Sequence, residues 1–128
     1  MRWPDALAGW PHAESSRRVA CPPHRWHVQE MGPGADAAPT LLLLHGAGGA
    51  CHSWRGVLPL LARDFHAIAI DLPGHGLTQL GTRARSGLDA MSADVLKLCA
   101  HEGWSPRAVI GHSAGGAVAL CMAQRDPA

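Results

Sequence analysis

One serine in this 128-residue chain lies in a pattern that could perform nucleophilic chemistry. Ser113 follows the apolar run 107–110 and has Gly111 and Gly115 two positions away on either side, which makes a G-x-S-x-G pattern. In such a pattern the serine occupies a strained turn between a strand and a helix, and glycines let the two elements approach closely. The N–H of Ala114 would then start the helix and point at a developing oxyanion. The pattern predicts Ser113 as the nucleophile and the Ala114 N–H as an oxyanion donor.

A second stretch of small residues could supply the other half of such a site. The apolar run 40–45 leads directly into Gly46-Ala47-Gly48-Gly49, where small side chains allow backbone N–H groups to face a ligand. We expect the N–H of Ala47, or that of Gly48, to be the second oxyanion donor, with Gly46 and Gly48 as the glycines of the loop. The alternative is a strand-to-helix connection that binds nothing. A phosphate loop is disfavoured because no Gly-Lys-Ser/Thr follows.

Three strands are needed to position these residues. The apolar runs 40–45, 65–71 and 107–110 show no alternation of apolar and polar residues, which is typical of a parallel sheet with helices on both faces. Asp71 ends the second run, and it could be a catalytic acid, although ordering of the following turn is the role we favour. His75 is assigned to loop architecture rather than to a catalytic base.

Helices are predicted between and after these strands. Apolar spacing indicates helices at 53–63, at about 86–103 and from Ala114 to about 125. Pro59 is tolerated only near a first helical turn, so the first of these helices should be short or begin late.

The N-terminal part has a different organisation. Residues 1–16 lack periodicity and predict an irregular arm, whereas 17–128 should form one domain. Apolar residues between 18 and 31 predict an antiparallel hairpin around the turn 21–24. Cys21, His24 and His27 do not predict a metal site, because residues three apart on a strand face opposite sides and no fourth ligand is evident.

Composition excludes several classes of function. A net charge of +1 gives no electrostatic reason to expect nucleic acid or an anionic membrane as a partner. The four cysteines form no C-x-x-C pair, so neither zinc nor a disulfide framework is indicated. The sequence contains no run of roughly 18 apolar residues and no signal peptide, so we expect neither a membrane span nor export. The expectation is a cytoplasmic protein without cofactor or metal.

Taken together, the motifs resemble the α/β-hydrolase superfamily, and within it the magnesium-chelatase accessory family of bacteriochlorophyll biosynthesis. The resemblance runs from about residue 10 to residue 122. It is carried by Trp10-Pro11, Trp26-His27-Val28-Gln29, Leu43-Leu44-His45-Gly46, His52-Ser53-Trp54-Arg55, Asp71-Leu72-Pro73-Gly74-His75-Gly76 and Gly111-His112-Ser113-Ala114-Gly115. The turn Cys21-Pro22-Pro23-His24 departs from the glycine-containing hairpin expected there.

The resemblance implies a truncated α/β-hydrolase fold and a serine hydrolase acting on an ester or acyl substrate. It also implies an accessory role in magnesium insertion into protoporphyrin, so a non-catalytic module that binds porphyrin or chelatase subunits is the alternative, as is an inactive fragment. In this fold the triad acid and histidine follow the nucleophile, and no histidine follows Ser113. We therefore expect the N-terminal part of a longer hydrolase, a poor catalyst alone, with Val109 and Ile110 on an exposed sheet edge.

Overall fold

The structure is a computed structural model that describes residues 12–22, 24–46, 49–73, 75, 78 and 87–125. Five strands, three α-helices and two short 3₁₀ turns follow one another along these residues. The strands are β1 (Ser16–Cys21), β2 (His24–Met31), β3 (Thr40–Leu44), β4 (His66–Ile70) and β5 (Ala108–Gly111). The helices are α1 (Leu58–Leu61), α2 (Leu88–Glu102) and α3 (Ala114–Arg125), and the 3₁₀ turns are Ala13–Ser15 and Cys51–Trp54.

The strands form one mixed sheet in the order β1-β2-β4-β3-β5. β3 pairs in parallel with β4 on one side and with β5 on the other. β1 and β2 form the predicted antiparallel hairpin, and β2 then joins β4 in antiparallel register. Every residue of β3 and β4 is buried, which confirms the prediction of a parallel core covered on both faces.

Alternate residues of the central strands feed two separate cores. Leu42 and Leu44 of β3 pack with Trp26 of β2 and with residues of α2 and α3 on one face. Leu41 and Leu43 point to the other face and pack with the residues around the 3₁₀ turn Cys51–Trp54 and α1. Successive side chains of a strand point to opposite faces of the sheet. Alternate residues of β3 therefore pack against different helical layers.

The three helices follow the sequence prediction. α2 ends at Gly103, which adopts a left-handed conformation with φ 73°, as a C-terminal glycine commonly does. α3 begins and ends as expected. Within the range 53–63 the helix α1 is short and begins late, at Leu58, as predicted, because Pro59 has no N–H and fits only the first helical turn. The 3₁₀ turn Cys51–Trp54 precedes it.

β5 is an edge strand, as predicted. Val109 is half-buried and Ile110 is 39% exposed, so apolar side chains reach the surface beside unpaired strand backbone.

Residues 1–11 lie outside the described part of the chain, and the division into an arm of 1–16 and a domain of 17–128 stays a prediction. Across the ranges that the structure describes, no helix combines the length and the apolar character that crossing a membrane requires.

Candidate active site

Ser113 occupies a strained turn between β5 and α3. Its φ is 54°, a left-handed conformation that is uncommon for a residue with a side chain. The turn is held by backbone bonds: the His112 N–H donates to the Leu44 carbonyl at 3.0 Å, and the Gly115 N–H donates to the His112 carbonyl at 3.0 Å. The predicted order of strand, turn and helix around Ser113 is confirmed, whereas the catalytic role of Ser113 stays a prediction.

Three glycines make this turn sterically possible. A Cβ on Gly115 would lie 2.2 Å from the Leu44 carbonyl oxygen, and one on Gly111 would lie 2.5 Å from the Gly115 carbonyl oxygen. A Cβ on Gly46 would lie 3.0 Å from Nδ1 of His112. Gly111 and Gly115 are therefore places where backbones touch, and Gly46 lies against His112. The predicted Gly48 lies outside the described residues.

A cavity of about 500 Å³ opens beside Ser113. One side is the elbow wall, residues 111–115, which carries Ser113 and the exposed first residue of α3, Ala114. A second part of the lining belongs to the tethered wall, the 3₁₀ turn Cys51–Trp54. The residues lining the cavity are His45, Gly46, Gly49, His52, Ser53, Trp54, His112 and Ser113. The structure thus brings the two predicted motifs together around one space.

The two predicted oxyanion donors differ in what the structure describes. The Ala114 N–H belongs to the first turn of α3, where N–H groups have no acceptor within the helix. Ala47 and Gly48 lie outside the described residues, so the second donor stays a prediction. Gly46 lines the cavity.

His45 connects the start of the glycine loop to the end of β4. It is fully buried, its Nδ1 lies 2.6 Å from the Gly46 carbonyl oxygen and its Nε2 lies 2.9 Å from the Leu72 backbone nitrogen. The imidazole therefore donates from Nδ1 and accepts the Leu72 N–H at Nε2, a pattern that only the neutral ring can satisfy. Burial lowers the pKa of His45, although the bond to Gly46 opposes that effect.

Asp71 connects the end of the same loop to β4, a role that sequence reasoning did not identify. Its side chain is fully buried, Oδ1 accepts the Cys51 N–H at 2.5 Å and Oδ2 accepts from Nδ1 of His27 at 2.6 Å. The carboxylate thus orders a segment twenty positions earlier in the chain, and the expected ordering of its own turn stays a prediction. The available signal was positional, because Asp71 and Cys51 both follow neighbouring parallel strands.

His27, Cys51 and Asp71 form the one group of potential metal ligands found among the described residues, and it is not the group considered from sequence. Their ligand atoms lie within 4.8 Å of one another and all three residues are buried. Nδ1 of His27 and both carboxylate oxygens of Asp71 are already engaged in the hydrogen bonds given above. Burial and the neighbouring Asp71 raise the pKa of the Cys51 thiol well above its ordinary value. The arrangement is that of a hydrogen-bonded network.

Known proteins resemble this chain in sequence and in structure. The family model of the alpha/beta hydrolase fold matches residues 39–128. The chain is 47% identical to the magnesium-chelatase 30 kDa subunit of Rhodobacter capsulatus, over 97% of this chain and 43% of that protein. It is 38% identical to a soluble epoxide hydrolase of Corynebacterium sp. strain C12, over 78% of this chain and 33% of that protein.

A solved structure gives the same result for the fold. The crystal structure of a membrane phospholipase A described as a bacterial virulence factor superposes with a TM-score of 0.82 at 30% identity, covering 94% of this chain and 37% of that one. The chain thus spans less than half the length of the relatives it matches. These matches confirm both the resemblance and the fold class inferred from the motifs.

Proposed function

We propose, from the premise that this chain belongs to the alpha/beta hydrolase fold family, that Ser113 is the nucleophile of a serine hydrolase acting on an ester or acyl substrate. The observation that carries the proposal is the positive φ of 54° at Ser113, on a turn that opens into the cavity. Backbone strain of this kind persists only where the surrounding structure enforces it, and it clusters at active sites.

The chemistry follows from the proposed roles. Oγ of Ser113 attacks the carbonyl carbon of the substrate, and a histidine takes the hydroxyl proton as general base. The negative charge on the carbonyl oxygen is stabilised by the N–H groups of Ala114 and Ala47. The tetrahedral intermediate then expels the alcohol, which receives the proton from the histidine, and water releases the acyl group by the same route.

The histidine and its acidic partner are assigned to sequence that follows Ser113 in a full-length protein, since the triad of this fold has that order. The 128-residue chain without them should keep oxyanion and binding effects only, and lose most of the nucleophilic activation of Ser113.

Hydrolysis of p-nitrophenyl esters of increasing acyl length by the full-length protein tests this proposal. Ser113→Ala should lower kcat by at least about 10³-fold, because no other group replaces the nucleophile. The matched control is Ser53→Ala, since Ser53 is the other serine lining the cavity, and its loss should change kcat less than tenfold. Equal activity of Ser113→Ala and the wild type would refute the assignment.

A non-catalytic accessory role is the second candidate function. It is favoured by the 47% identity over nearly the whole chain to a magnesium-chelatase subunit. In this case the cavity binds a porphyrin or the surface binds chelatase subunits, and Ser113 is not required. Magnesium insertion into protoporphyrin by reconstituted chelatase, supported equally by wild type and Ser113→Ala, would favour this function. Loss of that support in Ser113→Ala would count against it.

A further inference from the structure

We propose that Asp71 is a positioning residue that holds the tethered wall, Cys51–Trp54, at the cavity that Ser113 also lines. The inference deepens the proposed function and rests on it, because the wall matters for chemistry only if substrate binds in that cavity. His52, Ser53 and Trp54 of this wall line the cavity, whereas Asp71 lies beneath them and is not among the lining residues. Asp71 therefore acts through Cys51 and does not touch substrate.

The contact between Asp71 and Cys51 fixes the point where the wall begins. Cys51 is the first residue of the 3₁₀ turn and is fully buried, and its N–H donates to Oδ1 of Asp71 at 2.5 Å. Inside the turn the Ser53 N–H donates to the Ala50 carbonyl at 2.9 Å. The Asp71 acceptor adds a bond from outside at the first residue of the turn, which limits where the next three side chains lie. A carboxylate is a strong acceptor for this purpose.

The carboxylate of Asp71 is itself oriented from the hairpin. Nδ1 of His27 donates to Oδ2 of Asp71 at 2.6 Å, while Nε2 of His27 lies 2.9 Å from the hydroxyl of Ser16. The backbone of the two residues is also joined, since the Asp71 N–H donates to the His27 carbonyl at 3.0 Å. Strands β1, β2 and β4 therefore hold the carboxylate in place, with Oδ2 accepting from His27 and Oδ1 accepting from Cys51.

The chain offers a matched control for this arrangement. Asp94 of α2 accepts from Nε2 of His24 at 2.7 Å, and both side chains are buried. The chemistry is the same as in the first pair, but His24 lies three residues from His27 and so on the opposite face of β2. Loss of either carboxylate should destabilise the fold, whereas only loss of Asp71 should release the wall.

The experiment compares Asp71→Ala, Asp71→Asn and Asp94→Ala in the full-length protein, at a temperature where each is folded. Amide hydrogen exchange over residues 51–54 and the rate of Cys51 alkylation by iodoacetamide report the wall directly. Asp71→Ala should raise both rates by at least about tenfold. In the wild type, opening of the turn must break the hydrogen bond from the Cys51 N–H to Asp71, and the variant lacks that bond. Asp94→Ala should leave both within about threefold of the wild type. Asp71→Asn keeps an acceptor oxygen for Cys51 and should resemble the wild type.

Ester hydrolysis gives the functional reading of the same variants. A displaced wall should lower kcat/KM by about 10- to 100-fold in Asp71→Ala, with restoration in Asp71→Asn and little change in Asp94→Ala. Equal changes in Asp71→Ala and Asp94→Ala, for exchange and for hydrolysis, would overturn the inference and make Asp71 a general stability residue.

Hydrogen exchange also decides the two cases in which the variants or the ester assay give no result. If Asp71→Ala does not fold, residue-resolved exchange in the wild type decides: the Cys51 amide should exchange at least about 100-fold slower than an unstructured amide, and fast exchange would overturn the inference. If the wild type hydrolyses no ester, the proposed function fails, while the exchange and alkylation results still decide whether Asp71 holds the wall.

Discussion

The two walls of the cavity are positioned by different physical means. The elbow wall depends on backbone contacts and on missing side chains, since Gly111 and Gly115 lie where any Cβ would meet other backbone atoms. The tethered wall depends on a buried side chain, because Asp71 accepts the Cys51 N–H. His45, which also lines the cavity, is buried as well and accepts the Leu72 N–H next to Asp71. β3 and β4, the two neighbouring parallel strands, carry these side chains at their carboxyl ends.

The two walls are therefore sensitive to different changes. Steric contacts between backbones do not depend on pH, and they tolerate almost no added volume. Hydrogen bonds to imidazole and carboxylate tolerate small shape changes, but their strength depends on the protonation state of these groups. Loss of one partner also leaves the other partner buried without a hydrogen bond, which costs stability. Substitutions at Gly115, His45 and Ser113 separate the two modes of positioning.

Gly115→Ala should damage the elbow wall most severely. The new Cβ would lie 2.2 Å from the Leu44 carbonyl oxygen and 2.4 Å from that of His45, and neither backbone atom can rotate away. We expect a loss of about 3 kcal/mol in the free energy of unfolding. Urea denaturation measures it. Gly116→Ala is the control, since its Cβ would lie 3.4 Å from the nearest atom; equal losses at both positions would contradict the steric account.

Acidification should weaken the buried hydrogen bonds of His45, which lines the same cavity, and leave the backbone contacts of the elbow wall unaffected. The pKa of His45 is lowered by burial, so below its ordinary pKa of about 6.5 the unfolded chain binds a proton that the folded chain does not. The stabilising contribution is constant above that pH, and it falls as pH decreases from about 6.5 to the lowered pKa. The loss cannot exceed about 1.4 kcal/mol per pH unit.

The difference in unfolding free energy between wild type and His45→Gln, followed from pH 8 to pH 5, isolates this effect, because glutamine does not titrate. The wild type should lose stability relative to the variant as pH falls. A difference that does not change with pH would show that the protonation of His45 does not affect the stability of the fold.

Ser113→Gly should give the smallest effect and the opposite sign. Glycine adopts a φ of 54° without strain, so the variant should be more stable than Ser113→Ala by about 1 kcal/mol. Thermal unfolding of the two variants checks this, and the alanine variant serves as the control for loss of the hydroxyl. Identical stabilities would mean that the turn stores no backbone strain.

The sequence predicted the elbow wall far better than the tethered wall, for a physical reason. The elbow is local: a strand, a glycine, a serine and a helix lie within consecutive residues, and the apolar runs and small residues identify each of them. The bonds of the tethered wall join residues 20 and 44 positions apart, so no periodicity records them. Pro59 indicated that the first predicted helix would be short, but not that the turn Cys51–Trp54 would precede it.

Covalent labelling shows whether Ser113 is a nucleophile at this elbow. Full-length protein is treated with a fluorophosphonate and digested with trypsin, and the peptide spanning residues 108–125 between Arg107 and Arg125 is analysed by mass spectrometry. We predict a phosphonate adduct on Ser113 that heat denaturation before labelling abolishes. An unlabelled Ser113 in folded protein, or an equal adduct on Ser53, would contradict the account.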